Sequence, residues 1–152
     1  MEEKKISYKI KAASEKDVFL HLRECNDSFL PPLNEKVNID EYAKKIFEKA
    51  ITFEAWENQT LVGLIAAYFN DLNKGAGFIT NVSVLKNYMG QGIASELLKN
   101  CIQYARQKKI TEMQLEVDKK NMTAILFYKK YNFMDAGINA DTILMKLKIN
   151  NK

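Results

Sequence analysis

Residues that bind metals or form disulfides are scarce in this chain of 152 residues, which contains two cysteines and one histidine. Cys25 and Cys101 lie far apart, neither belongs to a CxxC pair, and the single histidine is His21. Structural zinc sites need about four such ligands. We therefore predict no metal site, no disulfide is indicated, and Cys101, on an apolar helical stripe, is interpreted as a core residue.

Long apolar runs are also absent. No run approaches the roughly 20 residues that a membrane-spanning helix needs, and no apolar signal-peptide core follows the charged start of the chain at Met1–Lys5. The sequence thus predicts a protein with no membrane partner. The cytoplasm, where free thiols persist, is the expected location.

The excess of positive charge is small, because 23 basic and 19 acidic residues give a formal net charge of +4. The basic runs Lys108-Lys109 and Lys129-Lys130 are short and are interpreted as solvated helix ends. Nucleic-acid-binding surfaces carry larger basic clusters with aromatic side chains among them. We predict no nucleic-acid partner, although the charge does not repel a small anionic ligand.

Neither repeats nor a linker divide the sequence, and its hydrophobic and charged fractions of 47% and 28% are ordinary for a globular protein. The length suits one domain, so we expect residues 1–152 to form a single domain. Both prolines stand together at Pro31 and Pro32, within a predicted loop from Asn26 to Asn38.

Hydrophobic spacing predicts six strands and four helices. The first half reads as a strand over Ile6–Ile10, a helix capped by Ser14 that runs to about Cys25, a helix from Ile39, and a hairpin of Ile51–Trp56 with Leu61–Phe69. After a polar turn from Asn70 to Gly77, strands are predicted at Phe78–Leu85, Met113–Asp118 and Thr142–Ile149, and helices at Ile93–Ala105 and Thr123–Tyr131. Hairpins combined with strand–helix–strand crossovers predict an α/β fold with a mixed sheet and helices on its faces.

The most informative segment is a strand that leads through two glycines, Gly90 and Gly92, directly into an amphipathic helix. The first turn of a helix presents unpaired N–H groups and the positive end of its dipole, and glycine lets that backbone approach an anion. A pyrophosphate is the expected ligand, and a simple tight turn is the alternative interpretation of the two glycines. The segment is neither a Walker A loop, since no GK[ST] follows, nor a Rossmann fingerprint, since the third glycine is missing.

Two motifs resemble those of the GNAT acetyltransferase family, and the resemblance is clear from about Leu61 to Phe133. The family signature [QR]-x-x-G-x-[GA] is similar to the six residues Asn87–Gly92, in which both glycines match and Asn87 replaces Gln or Arg. A second motif, N-x-x-A-x-x-[FL]-Y-x-x-x-G-F, resembles the segment Asn121–Phe133, with Asn132 in place of the glycine. Asparagine tolerates the left-handed backbone that such a helix exit needs.

The resemblance implies the GNAT fold, a mostly antiparallel twisted sheet with helices on both faces, and an N-acetyltransferase that uses acetyl-coenzyme A and no metal. In that family the fourth and fifth strands splay apart and hold the pantetheine arm. The implied coenzyme-binding residues are two strand residues for the arm, a turn that cradles the pyrophosphate, and two residues beside the arm: Val82 and Val84; Met89, Gly90, Gln91, Gly92, Ile93 and Ala94; Asn121 and Phe127.

Acetyl transfer to an amine needs a base for the amine and an acid for the leaving thiolate. By its place in the second motif, Tyr128 is implied as the acid. Glu116 is implied as the base by resemblance to the ribosomal-protein N-terminal acetyltransferase branch, with Asp118 as a weaker alternative. By strand alternation Glu116 faces opposite to Leu115 and Val117, toward either a cleft or solvent.

The acceptor remains open among a peptide, an amino sugar, a polyamine and an antibiotic, because the apolar loop from Phe29 to Leu33 suits several of them. Either a monomer or a homodimer fits the sequence. The alternative to an enzyme is a non-catalytic acyl-coenzyme A sensor, which the replacements Asn87 and Asn132 keep open and which the retained Tyr128 disfavours.

Overall fold

A computed structural model describes residues 5–71 and 75–149 of the chain. In these ranges the chain forms seven strands and four α-helices, together with three short 3-10 helices. The strands are β1 (Ser7–Ile10), β2 (Ile51–Glu57), β3 (Thr60–Asp71), β4 (Ala76–Val84), β5 (Glu112–Asp118), β6 (Met134–Asn139) and β7 (Thr142–Lys148). The helices are α1 (Glu15–Cys25), α2 (Ile39–Lys49), α3 (Ile93–Gln107) and α4 (Met122–Lys130).

The predicted helices and six of the strands are confirmed, with ends that shift by a residue or two. Strand β6 was not predicted, because each of its side chains is exposed and no apolar alternation marks it. Within the predicted turn from Asn70 to Gly77, residues 72–74 lie outside the described part of the chain, as do residues 1–4 and 150–152 of the proposed domain.

Local chemistry explains where the first helices begin. Ser14 Oγ accepts a hydrogen bond from Asp17 N at 3.1 Å, and the Asp17 carboxylate accepts one from Ser14 N at 2.9 Å. This reciprocal pair is the predicted capping box of α1. Helix α2 begins in the same way, since Asn38 Oδ1 accepts from Glu41 N at 3.0 Å.

The sheet runs in the order β1-β2-β3-β4-β5-β7-β6, and only β4 and β5 are parallel neighbours. Their pairing extends from Ala76 opposite Glu112 to Ile79 opposite Leu115 and then stops, although both strands continue. A gap therefore opens between the ends of β4 and β5. The predicted mixed, mostly antiparallel sheet is confirmed.

Helices cover both faces of the sheet, as predicted. Neighbouring residues of β3 belong to different apolar clusters: Leu64 packs with α1 and α2, whereas Ile65 packs with α3 and α4. Cys101 is buried in the second cluster, in agreement with its interpretation as a core residue. Both cysteines are free and buried.

A fully buried carboxylate at Glu54 holds the link between β1 and α1 against the sheet. Its oxygens accept hydrogen bonds from the backbone N–H groups of Ala12 and Ala13, from Trp56 Nε1 at 3.0 Å and from Thr52 Oγ1. A buried charge is tolerated when it is fully hydrogen-bonded. Glu54 is thus occupied by structural contacts.

Across the described ranges, no helix combines the length and the apolar character needed to cross a bilayer.

We expect Leu97→Ala to lower the free energy of unfolding by about 2–5 kcal/mol, because Leu97 is fully buried and its removal leaves a cavity between α3 and the sheet. Urea unfolding measures the change through the transition midpoint. The exposed Lys99 on the same helix provides the control Lys99→Ala, for which about 0.5 kcal/mol or less is expected. Equal losses in the two variants would contradict the packing described here.

Candidate active site

The edge of β4 beside the gap offers unpaired backbone groups. Leu85 N donates to Val62 O at 2.8 Å, and Gly63 lies opposite Val84. In an antiparallel pair, hydrogen-bonded and non-hydrogen-bonded positions alternate, so the N–H and C=O groups of Val84 and Val82 point away from β3. No residue in the described part of β5 pairs with these two residues. Their backbone groups therefore face the gap.

The glycine turn lies at the end of this edge, before α3. Gly90 and Gly92 have φ values of 79° and 80°, and a Cβ placed on either would meet nothing within 4 Å. Gly92 is the N-cap of α3 and has no side chain to bond the first N–H groups of the helix. Those groups and the positive helix end are thus open to an anion. Met89 and Gln91 are exposed, Ala94 is half-buried, and Ile93 is buried in the core.

A cleft of about 360 Å³ opens where β4 and β5 separate. Its walls come from the loop after α1, from α2, from both strands and from α4. They include Phe29, Tyr42, Asn81, Glu116, Asn121 and Tyr128. The cleft therefore brings together Glu116 and Tyr128, the two residues for which acid–base roles were predicted.

Tyr128 is buried between aromatic neighbours, with ring centroids 5.4 Å from Phe127 and 5.7 Å from Phe133. Its hydroxyl has no hydrogen-bond partner in the described part of the chain. Burial raises the pKa of Tyr128 above its ordinary value of 10. The phenol therefore keeps its proton at neutral pH and can donate it within the cleft.

The two carboxylates of β5 line the cleft but differ in their contacts. Asp118 Oδ1 accepts a hydrogen bond from Lys120 N at 2.8 Å, which engages it in the turn before α4. Glu116 is exposed and lies on the opposite face of β5 from the buried Leu115 and Val117. Of the two, Glu116 is the one whose carboxylate makes no hydrogen bond to the described residues.

Asn121 and Phe127 both belong to α4. Asn121 is the N-cap, where its Oδ1 accepts from Ala124 N at 3.2 Å, and it lines the cleft. Its amide NH₂ has no partner among the described residues and is available to a ligand. Phe127 is half-buried, and its ring packs edge-on against Tyr128 and Tyr131. Phe127 therefore supports the ring of Tyr128.

Sequence reasoning assigned no functional role to Tyr42, which lies in the helix predicted from Ile39. Its hydroxyl donates to Thr80 O at 2.7 Å and lies 2.8 Å from Thr80 Oγ1. Burial is the main reason that the pKa of Tyr42 rises to about 12. No sequence signal links two residues that are 38 positions apart.

A buried polar chain involving His21 was also missed. His21 Nδ1 donates to Leu61 O at 2.9 Å, and Nε2 lies 2.9 Å from Ser83 Oγ, which in turn lies 2.8 Å from Asn81 Oδ1. These hydrogen-bonded side chains thus extend from α1 to Asn81 in the wall of the cleft. Burial lowers the pKa of His21 to about 4, so the ring is neutral at neutral pH.

Metal ligands are not gathered anywhere in residues 5–71 and 75–149, where no group of three or more His, Cys, Asp or Glu side chains could hold an ion.

Comparison with known proteins decides the family. The sequence profile of the Acetyltransferase (GNAT) family matches residues 17–133, a span that includes the glycine turn, both strands of the gap and α4. The chain belongs to this family. The prediction made from the two motifs is confirmed.

Relatives in the GNAT family differ in what they acetylate. The chain is 28% identical over 85 residues to N-alpha-acetyltransferase 30 of Schizosaccharomyces pombe, which covers 54% of this chain and 56% of that protein. It is 30% identical over 70 residues to streptothricin acetyltransferase A of Bacillus subtilis, covering 46% of this chain and 39% of that protein. Each match thus spans only about half, or less, of the relative's length.

A solved structure of an N-acetyltransferase matches nearly the whole chain. The PaiA N-acetyltransferase of Thermoplasma acidophilum, crystallised in complex with coenzyme A, has a TM-score of 0.75, with 18% identity, 93% of this chain covered and 99% of the other. At this identity the similarity establishes the fold.

His21 predicts a specific pH dependence of stability. Its pKa is about 4 in the folded chain against about 6.5 when unfolded, so the unfolded state binds more protons between these values. The free energy of unfolding is then highest above pH 6.5 and falls as the pH drops, by up to about 1.4 kcal/mol per pH unit.

Urea unfolding at several pH values between 7 and 5 measures this slope, with ordinary carboxylates titrating mostly below that window. His21 is the only histidine of the chain, so His21→Gln should remove most of the slope. An unchanged slope in the variant would show that another group causes it.

Proposed function

We propose that the chain is an N-acetyltransferase, a single domain over residues 1–152 that moves an acetyl group from acetyl-coenzyme A to a primary amine by direct attack in a ternary complex. The observation that carries this proposal is the open edge of β4, which connects the glycine turn before α3 to the cleft lined by Glu116 and Tyr128. Membership in the GNAT family supports it.

The coenzyme would lie along this edge. The backbone from Met89 to Ala94 holds the pyrophosphate, because the first N–H groups of α3 have no side-chain cap and the glycines leave the approach open. The gap-facing backbone groups of Val82 and Val84 bind the pantetheine arm as a further strand would. Asn121 donates to the arm from the other side, and Phe127 packs near it.

The cleft residues divide the proton transfers. A lysine-like amine has a pKa of about 10.4 and is charged at neutral pH, so Glu116, directly or through water, first takes its proton. The neutral nitrogen then attacks the thioester carbon. As the carbon–sulfur bond breaks, Tyr128 donates its proton to the leaving sulfur, and the second proton, which the nitrogen loses as it becomes an amide, restores the Tyr128 phenol. The thioester supplies an activated acetyl group, and no metal takes part in this scheme.

The acceptor is an amine carried by a peptide, an amino sugar or another small molecule. Two acidic side chains, Glu116 and Asp118, and one basic side chain, Lys36, line the cleft, so the net charge of its lining is negative and favours a cationic group. The relatives named above, an N-alpha-acetyltransferase and a streptothricin acetyltransferase, indicate peptide and antibiotic amines as the first to test. We place the reaction in the cytoplasm and expect a monomer or a homodimer.

The proposal is tested by following thiol release from acetyl-coenzyme A with a panel of peptides, amino sugars, polyamines and aminoglycoside-like antibiotics. Turnover with at least one amine, and an acetylated product detected by mass spectrometry, is the expected result. Tight coenzyme binding without turnover across the panel would instead favour a non-catalytic acyl-coenzyme A sensor. Absence of coenzyme binding would contradict both.

Coenzyme affinity should depend on the glycine turn. We expect Gly92→Val to weaken acetyl-coenzyme A binding strongly, because a β-branched residue is strained at a φ of 80° and its side chain stands at the helix end that holds the pyrophosphate. Calorimetry measures the affinity. Gly137→Val in the exposed strand β6, where a Cβ also meets nothing within 4 Å, is the matched control. Equal affinities in the two variants would refute the pyrophosphate site.

Tyr128→Phe removes the proposed acid and leaves the ring packing against Phe127 and Phe133 in place. We expect turnover to fall by about 10²–10⁴, with little change in coenzyme affinity or stability. Steady-state kinetics with the identified acceptor measures the loss. Tyr131→Phe is the control for a generic loss of a tyrosine hydroxyl, because Tyr131 lies at the C-terminal end of the same helix and its ring also packs against Phe127. Parent-like turnover in Tyr128→Phe would leave Tyr128 as a packing residue.

Glu116→Gln should lower turnover most at low pH, where more of the amine is charged and a base matters most, while coenzyme affinity stays close to that of the parent. The pH profile of kcat/KM measures this. Asp118→Asn provides the comparison, because Asp118 lines the same cleft. If Asp118→Asn alone changes the profile, the base is Asp118; if neither does, it is water or another group.

A further inference from the structure

A side chain from outside the sheet bonds to β4 at the inner end of the gap between β4 and β5. Thr80 lies in a β-bulge, because Ala66 pairs with Asn81 whereas Ala67 pairs with Ile79. Thr80 is also the first residue of β4 beyond its last pair with β5. Tyr42 of α2 bonds both to its carbonyl oxygen at 2.7 Å and to its hydroxyl at 2.8 Å.

The two bonds fix the position of the Tyr42 ring. The phenol donates to the carbonyl oxygen and accepts from the threonine hydroxyl, so each donor has a partner. Helix α2 is itself anchored, because Ala43 and Ile46 beside Tyr42 are fully buried against the sheet. The ring therefore cannot move aside without breaking hydrogen bonds or shifting a packed helix.

The course of the coenzyme along β4, as proposed above, leads toward the ring of Tyr42. On the proposed function, the pyrophosphate lies at residues 89–94 and the arm passes Val84 and then Val82. The next position along the open edge is Thr80, so the thioester end of the arm is directed at the Thr80–Tyr42 pair. Phe78, Ile79 and Leu115, which line the same cleft, enclose this end with apolar surface.

We propose that Tyr42 is a specificity-determining residue that closes this end of the slot and restricts the transferred group to acetyl. The inference rests on the proposed function, because it uses the course of the coenzyme arm given there. A longer acyl chain must displace the clamped ring or leave the slot. Replacing the ring by a methyl group opens space for the additional carbons.

Calorimetry with coenzyme A, acetyl-coenzyme A and butyryl-coenzyme A tests the proposal without knowledge of the acceptor. We expect the parent to bind butyryl-coenzyme A about tenfold or more weakly than acetyl-coenzyme A, since the two additional carbons collide with the hydrogen-bonded ring of Tyr42 and such a steric conflict is costly. In Tyr42→Ala the difference should disappear, while affinity for coenzyme A itself is retained. Tyr42→Phe keeps the ring but loses both hydrogen bonds, and should reduce the difference partly.

Phe47→Ala is the control, because Phe47 lies on the same helix with its side chain exposed and away from the cleft. Its acetyl-to-butyryl ratio should equal that of the parent. Thermal unfolding checks that each variant is folded, and if Tyr42→Ala is not, Tyr42→Phe decides the question.

Equal affinities of the parent for the two acyl-coenzymes would overturn the proposal, and so would a ratio that no Tyr42 variant changes. A variant that keeps the ratio but loses turnover would assign Tyr42 to the acceptor instead. If the parent binds none of the three coenzymes, the proposed function fails rather than the role of Tyr42.

Discussion

The short parallel pairing of β4 with β5 is the constraint on which the site depends. Four residues of β4 pair with four residues of β5, and the pairing ends at Ile79 and Leu115. The two strands then separate, although β4 continues to Val84 and β5 to Asp118. Separation costs backbone hydrogen bonds, and unpaired groups of a strand are a template for a further extended chain. The gap thus creates a cleft and an unfilled strand edge at the same place.

The surrounding elements stabilise this open arrangement. On one side α3 packs Ile93 and Leu97 against the sheet and directs its uncapped first turn toward the open edge. On the other side the hydroxyl of Tyr42 in α2 donates a hydrogen bond to the carbonyl oxygen of Thr80, which lies in a β-bulge outside the regular strand pairing. A buried carbonyl group without a partner is destabilising, so the hydroxyl of Tyr42 offsets part of the cost of ending the pairing there.

Two departures from the family motifs have little structural consequence. Asn132 stands where the family has glycine and adopts a φ of 74°, the left-handed backbone that asparagine tolerates. Its N–H donates to Lys129 O at 3.0 Å, which ends α4 as a glycine would. Asn87 precedes the glycine turn, and its carbonyl oxygen accepts from Gln91 Nε2 at 3.4 Å. The turn keeps both glycines in the left-handed region.

Local and periodic information in the sequence determined the elements, the capping box at Ser14, the glycine turn and the family, because each depends on residues close together in the chain. Strand β6 escaped prediction since its exposed side chains carry no period. The contacts of Tyr42 with Thr80 and of His21 with Ser83 join residues 38 and 62 positions apart, and no local pattern specifies such pairs. Only the tertiary structure decided them, because they exist once the sheet has formed and the helices have packed on its face.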